Sequence, residues 1–584
     1  MTEFKKIYHY AKEFRGKIHL AFVLILLSVA LGIIPYVIAY YIILGLIQGP
    51  PLTAGYIFMM SGLIFLVLAG KAVFYYKGLA ASHEATYDTL MGMRVAFSDK
   101  MMTMPLGEIN RKGRGSFKKN IIEDIDSMEV LLAHMIPEGL PYLIVPVIVF
   151  SILLVMDWRL GLLSMGSIPF GIIPMFFMMK IGTDRMDGFY KSAERMNAVI
   201  VEYVTAMNVI KIFGRTTESF DRYVKSVNDY KDFTLAWRKA SWNHIAVYSA
   251  VLPCTLILLL PVGSVLYLNG TLPLDRFIFS VMLTLGVGVP LLKMLDFIPL
   301  LPTLSFKIKE LEKTFQGEEL IQGTDKPCLT HHDIAFDRVS FAYDETDAVT
   351  DVSFTARQNH LTAIVGESGS GKSTLAKLLV HYWDIRSGTI KIGGKDIKTM
   401  PLESLMGLIS YVSQDTFLFN TTVRDNIRVG NPDATDEQIV HAAKLARCHD
   451  FISRFEHGYD TRVGDAGDRM SGGEKQRVTI ARAILKDAPI IVLDEATAFT
   501  DPENEDRIQE ALMELIWDKT VIIIAHRLST IIQADSILVM HQGKLVDHGS
   551  HKKLLTTSSV YRRLWESHQA AQDWRIEVTE AAHA

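Results

Sequence analysis

Six stretches of this chain, roughly 18–46, 54–79, 137–157, 160–182, 244–268 and 274–302, are apolar over twenty or more residues and carry few charges. A bilayer's hydrocarbon core of about 30 Å takes about 20 helical residues to cross, so these runs are expected to span a membrane as helices. Their connections differ in length and charge. The stretch 80–136 carries Arg94, Lys100, Arg111, Lys112, Arg114, Lys118 and Lys119, and the stretch 183–243 carries Arg185, Lys191, Arg195, Lys211, Arg215, Arg222, Lys225, Arg238 and Lys239. The other loops are short and nearly uncharged, such as Gln48-Gly49-Pro50-Pro51 and Asn269-Gly270-Thr271. The positive-inside rule then puts the two long loops, both termini and everything after the last span in the cytoplasm of a multi-pass protein of the cell (inner) membrane.

At 584 residues the chain is too long for one core, and charge crowds into its second half. A net charge of -4 suggests no nucleic-acid partner. Cys254, Cys328 and Cys448 are scattered without metal-ligand spacing, so structural disulfides and zinc are not expected. The N-terminal MTEFKKIYHYAKEFRGK is amphipathic and basic, and the apolar run behind it is too long for a signal-peptide core; it is read as a retained cytoplasmic lead-in helix.

Pro35, Pro141, Pro146, Pro169, Pro174, Pro253, Pro261 and Pro290 interrupt the spans. Each removes a helical hydrogen bond and favours a kink, which would suit a cavity opening to alternate sides; equally, membrane helices tolerate proline. Lys71, Lys293 and Asp296 are costly in hydrocarbon unless paired or wetted, which makes them candidate cavity residues; the alternative is that Lys71 snorkels and the Lys293/Asp296 pair lies near the inner interface. Met175, Met178 and Met179 on one span are read as adaptable packing. Within the long loops, turns are expected near 111–119, at Arg111-Lys112-Gly113-Arg114-Gly115-Ser116-Phe117, and near 208–217, at Ile210-Lys211-Ile212-Phe213-Gly214-Arg215. Glycine permits the reversals, and Phe117 and Phe213 offer apolar anchors for coupling to the downstream domain; a plain solvated hairpin is the other reading.

The second half carries the chemistry. Gly366-Glu367-Ser368-Gly369-Ser370-Gly371-Lys372-Ser373, with Thr374 next, fits the phosphate-binding loop G-x-x-x-x-G-K-[ST] and stands between an apolar strand, Leu361 to Val365, and an expected helix, Ser373 to Tyr382. Its backbone N–H groups and helix N-terminus attract phosphate, Lys372 adds a cation for the terminal phosphates, and Ser373 suits magnesium. A second apolar strand, Ile490 to Leu493, delivers Asp494 to magnesium and Glu495, the candidate general base, to a water. A third, Val521 to Ala525, ends at His526, a donor able to sense the terminal phosphate. An ATP motor joined to a membrane-spanning unit implies active transport.

Met470-Ser471-Gly472-Gly473-Glu474, followed by Lys475-Gln476-Arg477, resembles the signature segment of ABC transporters. The resemblance covers nearly the whole chain. It implies a transmembrane bundle of six helical spans with long cytoplasmic helical extensions over 1–302, a linker over 303–330, an α/β P-loop ATPase domain with a helical subdomain over 331–568, and a tail over 569–584. It further implies that Tyr343 stacks on adenine, that Gln414 links magnesium to the membrane loops, and that Ser471, Gly472, Gly473 and Glu474 close over nucleotide held by another subunit. Asp494, Glu495, Asp501 and His526 match the magnesium aspartate, the catalytic glutamate, the dimer-communication loop and the switch histidine. Met470 and Glu474 depart from the commonest leucine and glutamine, and Ala498-Phe499-Thr500-Asp501 from the commoner Ser-Ala-Leu-Asp, without removing a catalytic group.

Six spans and one motor resemble an exporter-type half-transporter, which needs a second half, a related chain or another copy. The stretch from Asp494 to Glu505 and the C-terminal Gln572-Asp573-Trp574-Arg575-Ile576 resemble the subgroup of exporter architecture that takes up iron siderophores of the mycobactin and yersiniabactin type, as heterodimers. An exporter of drugs, lipids or peptides is the alternative cargo reading, and a motor that gates a channel or serves as a regulator is a third. The implied ligands are ATP, Mg2+, the lipid bilayer and a small amphipathic substrate.

Overall fold

The computed structural model describes residues 7–49, 52–213, 216–325, 329–343, 345–413, 416–494, 502–524 and 531–573. The chain forms two units, Met1–Met102 with Lys112–Gly317, and Thr103–Arg111 with Glu318–Ala584.

Among the described residues six helical segments are long and apolar enough to cross a membrane: Lys12–Gln48, Ala54–Thr103, Val130–Met156, Trp158–Thr205, Phe220–Leu268 and Leu274–Phe315. Several outrun the apolar runs that announce them. The second runs unbroken from Ala54 to Thr103. Beyond residue 79 its buried side chains Ser82, Thr86, Thr89, Met93 and Phe97 recur three or four residues apart, so one face stays covered after the lipid-length stretch has ended. The helices Ile168–Thr205 and Thr216–Val251 form a long antiparallel pair in which Gly171 meets Leu252 and Gly188 meets Phe233.

The prolines do two different things. Pro146, Pro174, Pro261 and Pro290 sit inside helices, as does Pro137. Pro35 and Pro169 instead stand in the first turn of a helix, where the missing N–H has no intrahelical partner to lose, Pro141 lies inside the continuous helix Val130–Met156 just where π winding gives way to α, and Pro253 lies between the helices ending at Val251 and beginning at Leu256. The expected linker also starts later than residue 303: Leu301–Phe315 is an amphipathic helix that buries Leu304, Ile308 and Leu311.

The second unit is built on two sheets. In chain order the strands are β1 (Ile334–Tyr343), β2 (Thr346–Ala356), β3 (Leu361–Gly366), β4 (Ser387–Ile392), β5 (Lys395–Asp396), β6 (Ile409–Val412), β7 (Ile490–Asp494), β8 (Thr520–Ile524), β9 (Ser536–His541) and β10 (Lys544–Gly549). An antiparallel sheet runs β2-β1-β4-β5, and a six-stranded sheet runs β10-β9-β3-β8-β7-β6 with every pair parallel except β9 with β10. The central strands are apolar on both faces because helices cover both; Ile490 to Leu493 are all buried. A helical core joins Asp436–Leu445, Gly472–Lys486 and Pro502–Ile516 through Ile439, Ala443, Val478, Ala481, Ile508 and Ala511. The last described helix, Ser559–Asp573, anchors on buried Tyr561, whose hydroxyl lies 2.7 Å from His551 Nδ1, so the expected tail from 569 begins as helix.

Candidate functional site

The parallel register brings strand ends together. Ile364 of β3 and Asp494 of β7 both pair with Ile524 at the end of β8, and Val412 of β6 pairs with Leu493. Carboxyl ends of neighbouring parallel strands are where open α/β sheets bind ligands. The phosphate loop leaves β3 at this edge and enters the helix Lys372–Leu379. Its turn needs glycine: Gly369 and Gly371 have φ of +78° and +97°, and a Cβ on Gly371 would stand 2.6 Å from the Ala348 carbonyl.

Within the loop the Lys372 ammonium donates to the carbonyls of Gly366 (2.9 Å) and Glu367 (2.8 Å), folded back over the cradle that phosphate would fill. Ser370 Oγ is buried there without a hydrogen-bond partner among the described residues. An orphaned hydroxyl, a buried ammonium and a helix N-terminus in one concavity fit a polyphosphate anion. Ser373 Oγ donates to Asp494 Oδ1 at 3.2 Å, so the hydroxyl and carboxylate expected at magnesium are brought together; two hard oxygen donors suit that ion. Tyr411, which the sequence reading missed, donates its hydroxyl to Asp494 Oδ2 at 2.8 Å. Burial and that carboxylate push the Tyr411 phenol well above its usual value, so it stays a donor. Its one sequence signal is its place on the short strand that precedes Gln414.

Tyr343 is 40% exposed, with its hydroxyl 3.2 Å from Thr374 Oγ1 and its ring edge-on to Trp383 and Phe341, leaving aromatic surface for a base. Glu367 and Ser368 lie exposed on the loop. Ser471 caps the helix Gly472–Lys486 in a reciprocal box: its Oγ accepts from the Glu474 N–H, and Glu474 Oε2 accepts from the Ser471 N–H at 2.8 Å. Glu474 therefore stands in for the commoner glutamine as a full capping partner. Gln414, Glu495, Asp501 and His526 lie outside the described residues.

The expected coupling turn needs correcting. Gly113 does take a positive φ of +77°, but Phe117 packs inward at 6.2 Å from Phe97 instead of presenting an anchor. The segment that joins the ATPase unit is Thr103–Arg111, where the Gly107 N–H donates to the Tyr382 carbonyl at 3.1 Å. The later turn keeps its exposed face: on and just past the helix Met207–Ile212, Ile212 is 78% and Phe213 74% exposed.

In the first unit, Lys71 and Lys293 line one cavity of about 290 Å³ with Ser28, Tyr36, Tyr75 and Tyr142. Asp296 is not in its wall but pairs with Lys293 at 3.8 Å.

Residues 18–291 match the family described as ABC transporter transmembrane region and residues 349–498 the family described as ABC transporter. YgaD of Bacillus subtilis strain 168, an ATP-binding/permease protein whose name suggests multidrug export, is 32% identical over 517 residues, 86% of this chain and 87% of that protein. This chain belongs to the ABC transporters. Its second unit is thus the nucleotide-binding part of an ABC transporter, and its first carries the family's transmembrane region. The transporter is also 37% identical over 487 residues to the mycobactin import ATP-binding/permease protein IrtA of Mycolicibacterium smegmatis, covering 82% of this chain and 56% of that one. It therefore spans about half the length of the IrtA relatives it matches. A solved structure of a bacterial Atm1-family ABC exporter with ATP bound superposes with a TM-score of 0.80 at 26% identity, covering 96% of this chain and 99% of that one.

Proposed function

We propose that this transporter is one half of a dimer that uses ATP to take up an iron-siderophore, or a similar amphipathic chelate, into the cytoplasm. The similarity to mycobactin import proteins over four-fifths of the chain carries the reading. The cavity agrees in kind: two ammonium groups and three phenols beside apolar helix faces suit an amphipathic ligand rich in anionic oxygens. A related second half-transporter is the favoured partner and a second copy the alternative. The exposed Ile212 and Phe213 support a partner, since an apolar tip on a basic loop is what a coupling contact needs.

In the dimer each ATP lies between the phosphate loop of one half and Ser471 to Glu474 of the other. Ser373, Asp494 and Gln414 would hold Mg2+, which supplies charge neutralisation at the phosphates. Glu495 orients and deprotonates water, His526 donates to the terminal phosphate, and Asp501 communicates across the dimer. ATP favours the closed pair of motors over the open pair, and that difference in affinity is what can reorient the spans. Basic loops, termini and motor lie on the cytoplasmic side.

Export of drugs, lipids or peptides is the second reading, favoured by the likeness to an Atm1-family exporter. ATPase activity of the purified chain in nanodiscs, alone and with a co-purifying partner, separates the two, with Glu495→Gln as the inactive control. Stimulation by ferric but not iron-free siderophore is expected; stimulation by drugs or lipids alone would overturn import.

A further inference from the structure

The first unit holds a second polar cluster, whose residues are not in the wall of the Lys71 cavity. His83 stands on the helix Ala54–Thr103; Glu129, His134 and Glu138 stand on or beside the π-helical stretch Val130–Gly139. Residues five apart diverge on an α-helix at 3.6 residues per turn, but i→i+5 winding brings Glu129 and His134 to one side. One donor atom from each of His83, Glu129 and His134 lies within 4.8 Å of the others.

The surroundings are those of a cation site. His134 Nδ1 lies 2.5 Å from Glu138 Oε1, which leaves Nε2 as the nitrogen free to ligate, the carboxylate-histidine pairing that orients imidazoles at metals. Glu138 is itself buried, and Tyr75 donates to its other oxygen at 2.9 Å. Tyr87 donates to Glu129 Oε1 at 3.0 Å, and His83 Nδ1 lies 3.4 Å from the same oxygen. Among the described residues the ion-pair partners of the two carboxylates are these imidazoles alone; no lysine or arginine lies within 4.0 Å of either.

We infer that His83, His134 and Glu129 form a binding site for a first-row divalent transition ion, with Glu138 positioning His134. Two imidazoles and one carboxylate are the donor set of non-haem Fe(II) and of three-ligand Zn(II) sites, and they disfavour Mg2+ and Ca2+, which take oxygen shells. Bond lengths of about 2.0–2.2 Å require the three donors to draw together by side-chain rotation, which their partly exposed positions permit. Tyr75 lines the Lys71 cavity, so the ion would sit two residues, His134 and the Glu138 hydrogen-bonded to it, away from that wall.

The test is a Co2+ titration of the untagged full chain in nanodiscs, read by visible absorption, with Zn2+ and Mg2+ as competitors. One Co2+ per chain, displaced by Zn2+ and not by Mg2+, is expected. His83→Gln and Glu129→Gln should abolish the spectrum, and Glu138→Gln should weaken binding by about 10–100-fold. His83 and Glu129 are part-exposed and their variants are expected to fold; a His134→Ala chain that fails to fold leaves these two to decide. Absence of saturable Co2+ and Zn2+ binding at micromolar concentration, or binding unchanged in the His83→Gln/Glu129→Gln double variant, would overturn the site. Neither siderophore nor ATP enters the measurement, so its outcome is independent of the cargo reading.

Discussion

Trp383 fills the space beside Gly107 where any other residue would carry its side chain. The same indole meets the Tyr343 ring edge-on, with centroids 5.0 Å apart, so one aromatic residue touches both the adenine-stacking candidate and the segment Thr103–Arg111. A side chain at Gly107 must displace either the indole or the backbone that hydrogen-bonds Tyr382. Gly107→Val is expected to cost about 1–3 kcal/mol at this contact through overpacking. Cargo stimulation of ATP turnover should fall severalfold while basal turnover persists. Equal loss of both rates would show that the contact holds the ATPase fold instead of conveying its state.

Asp384 gives a pH dependence. Burial alone would raise its pKa, but the hydrogen bonds from His381 and the Ile321 N–H, with the charges of His381 and Lys398, outweigh it and hold the carboxyl below its usual value. A depressed folded pKa contributes stability that is complete above the unfolded value, about 3.9, and is lost as pH falls through the folded one. Asp384→Asn should therefore lower the melting temperature at neutral pH, and the gap from the unaltered chain should close below about pH 4. A gap that stays constant into acid would assign the effect to packing.

Glu474 offers a test of the signature segment. The capping box explains why an acid is tolerated, and a glutamine keeps both hydrogen bonds while removing a negative charge. If this helix end closes over a partner's triphosphate, Glu474→Gln should strengthen ATP binding by about two- to fivefold, the equivalent of about 0.3–1 kcal/mol at a helix terminus. Unchanged affinity in the assembled dimer, with unchanged stability, would place the side chain away from the phosphates.

What could be read ahead of the structure followed physical necessity. Long apolar runs have one cheap solution in lipid, and the glycines at 369 and 371 occupy conformations that other residues resist, so spans and phosphate loop were both legible. Helix ends were not, because Ser82, Thr86 and Thr89 look polar in sequence yet bury one face of a helix that continues to Thr103. Phe117 looked like an anchor because an exposed and an inward phenylalanine are the same letter; what marks the contact is the absent side chain of Gly107. His83 and His134 are 51 residues apart, and the winding that aligns Glu129 with His134 is π, which no apolar period announces.

Tyr411 sharpens the reading of the metal side of the nucleotide site. Its phenol, held protonated by burial and by Asp494, fixes one carboxylate oxygen and leaves the other facing Ser373. Removing that hydroxyl frees Asp494 to rotate without touching a ligand atom. Outer partners of metal-binding carboxylates typically contribute about 10–100-fold in metal affinity or activity. Tyr411→Phe is therefore expected to raise the Mg2+ concentration for half-maximal ATP hydrolysis by about tenfold or more, with turnover at saturating Mg2+ reduced far less. ATP binding measured without Mg2+ should be unchanged, because among the described residues the phenol hydrogen-bonds Asp494 and its ring meets Tyr382, with no hydrogen bond or ring contact to the phosphate loop or Tyr343. A uniform loss of turnover at every Mg2+ concentration would instead make Tyr411 a packing residue of β6 and leave the orientation of Asp494 to other contacts.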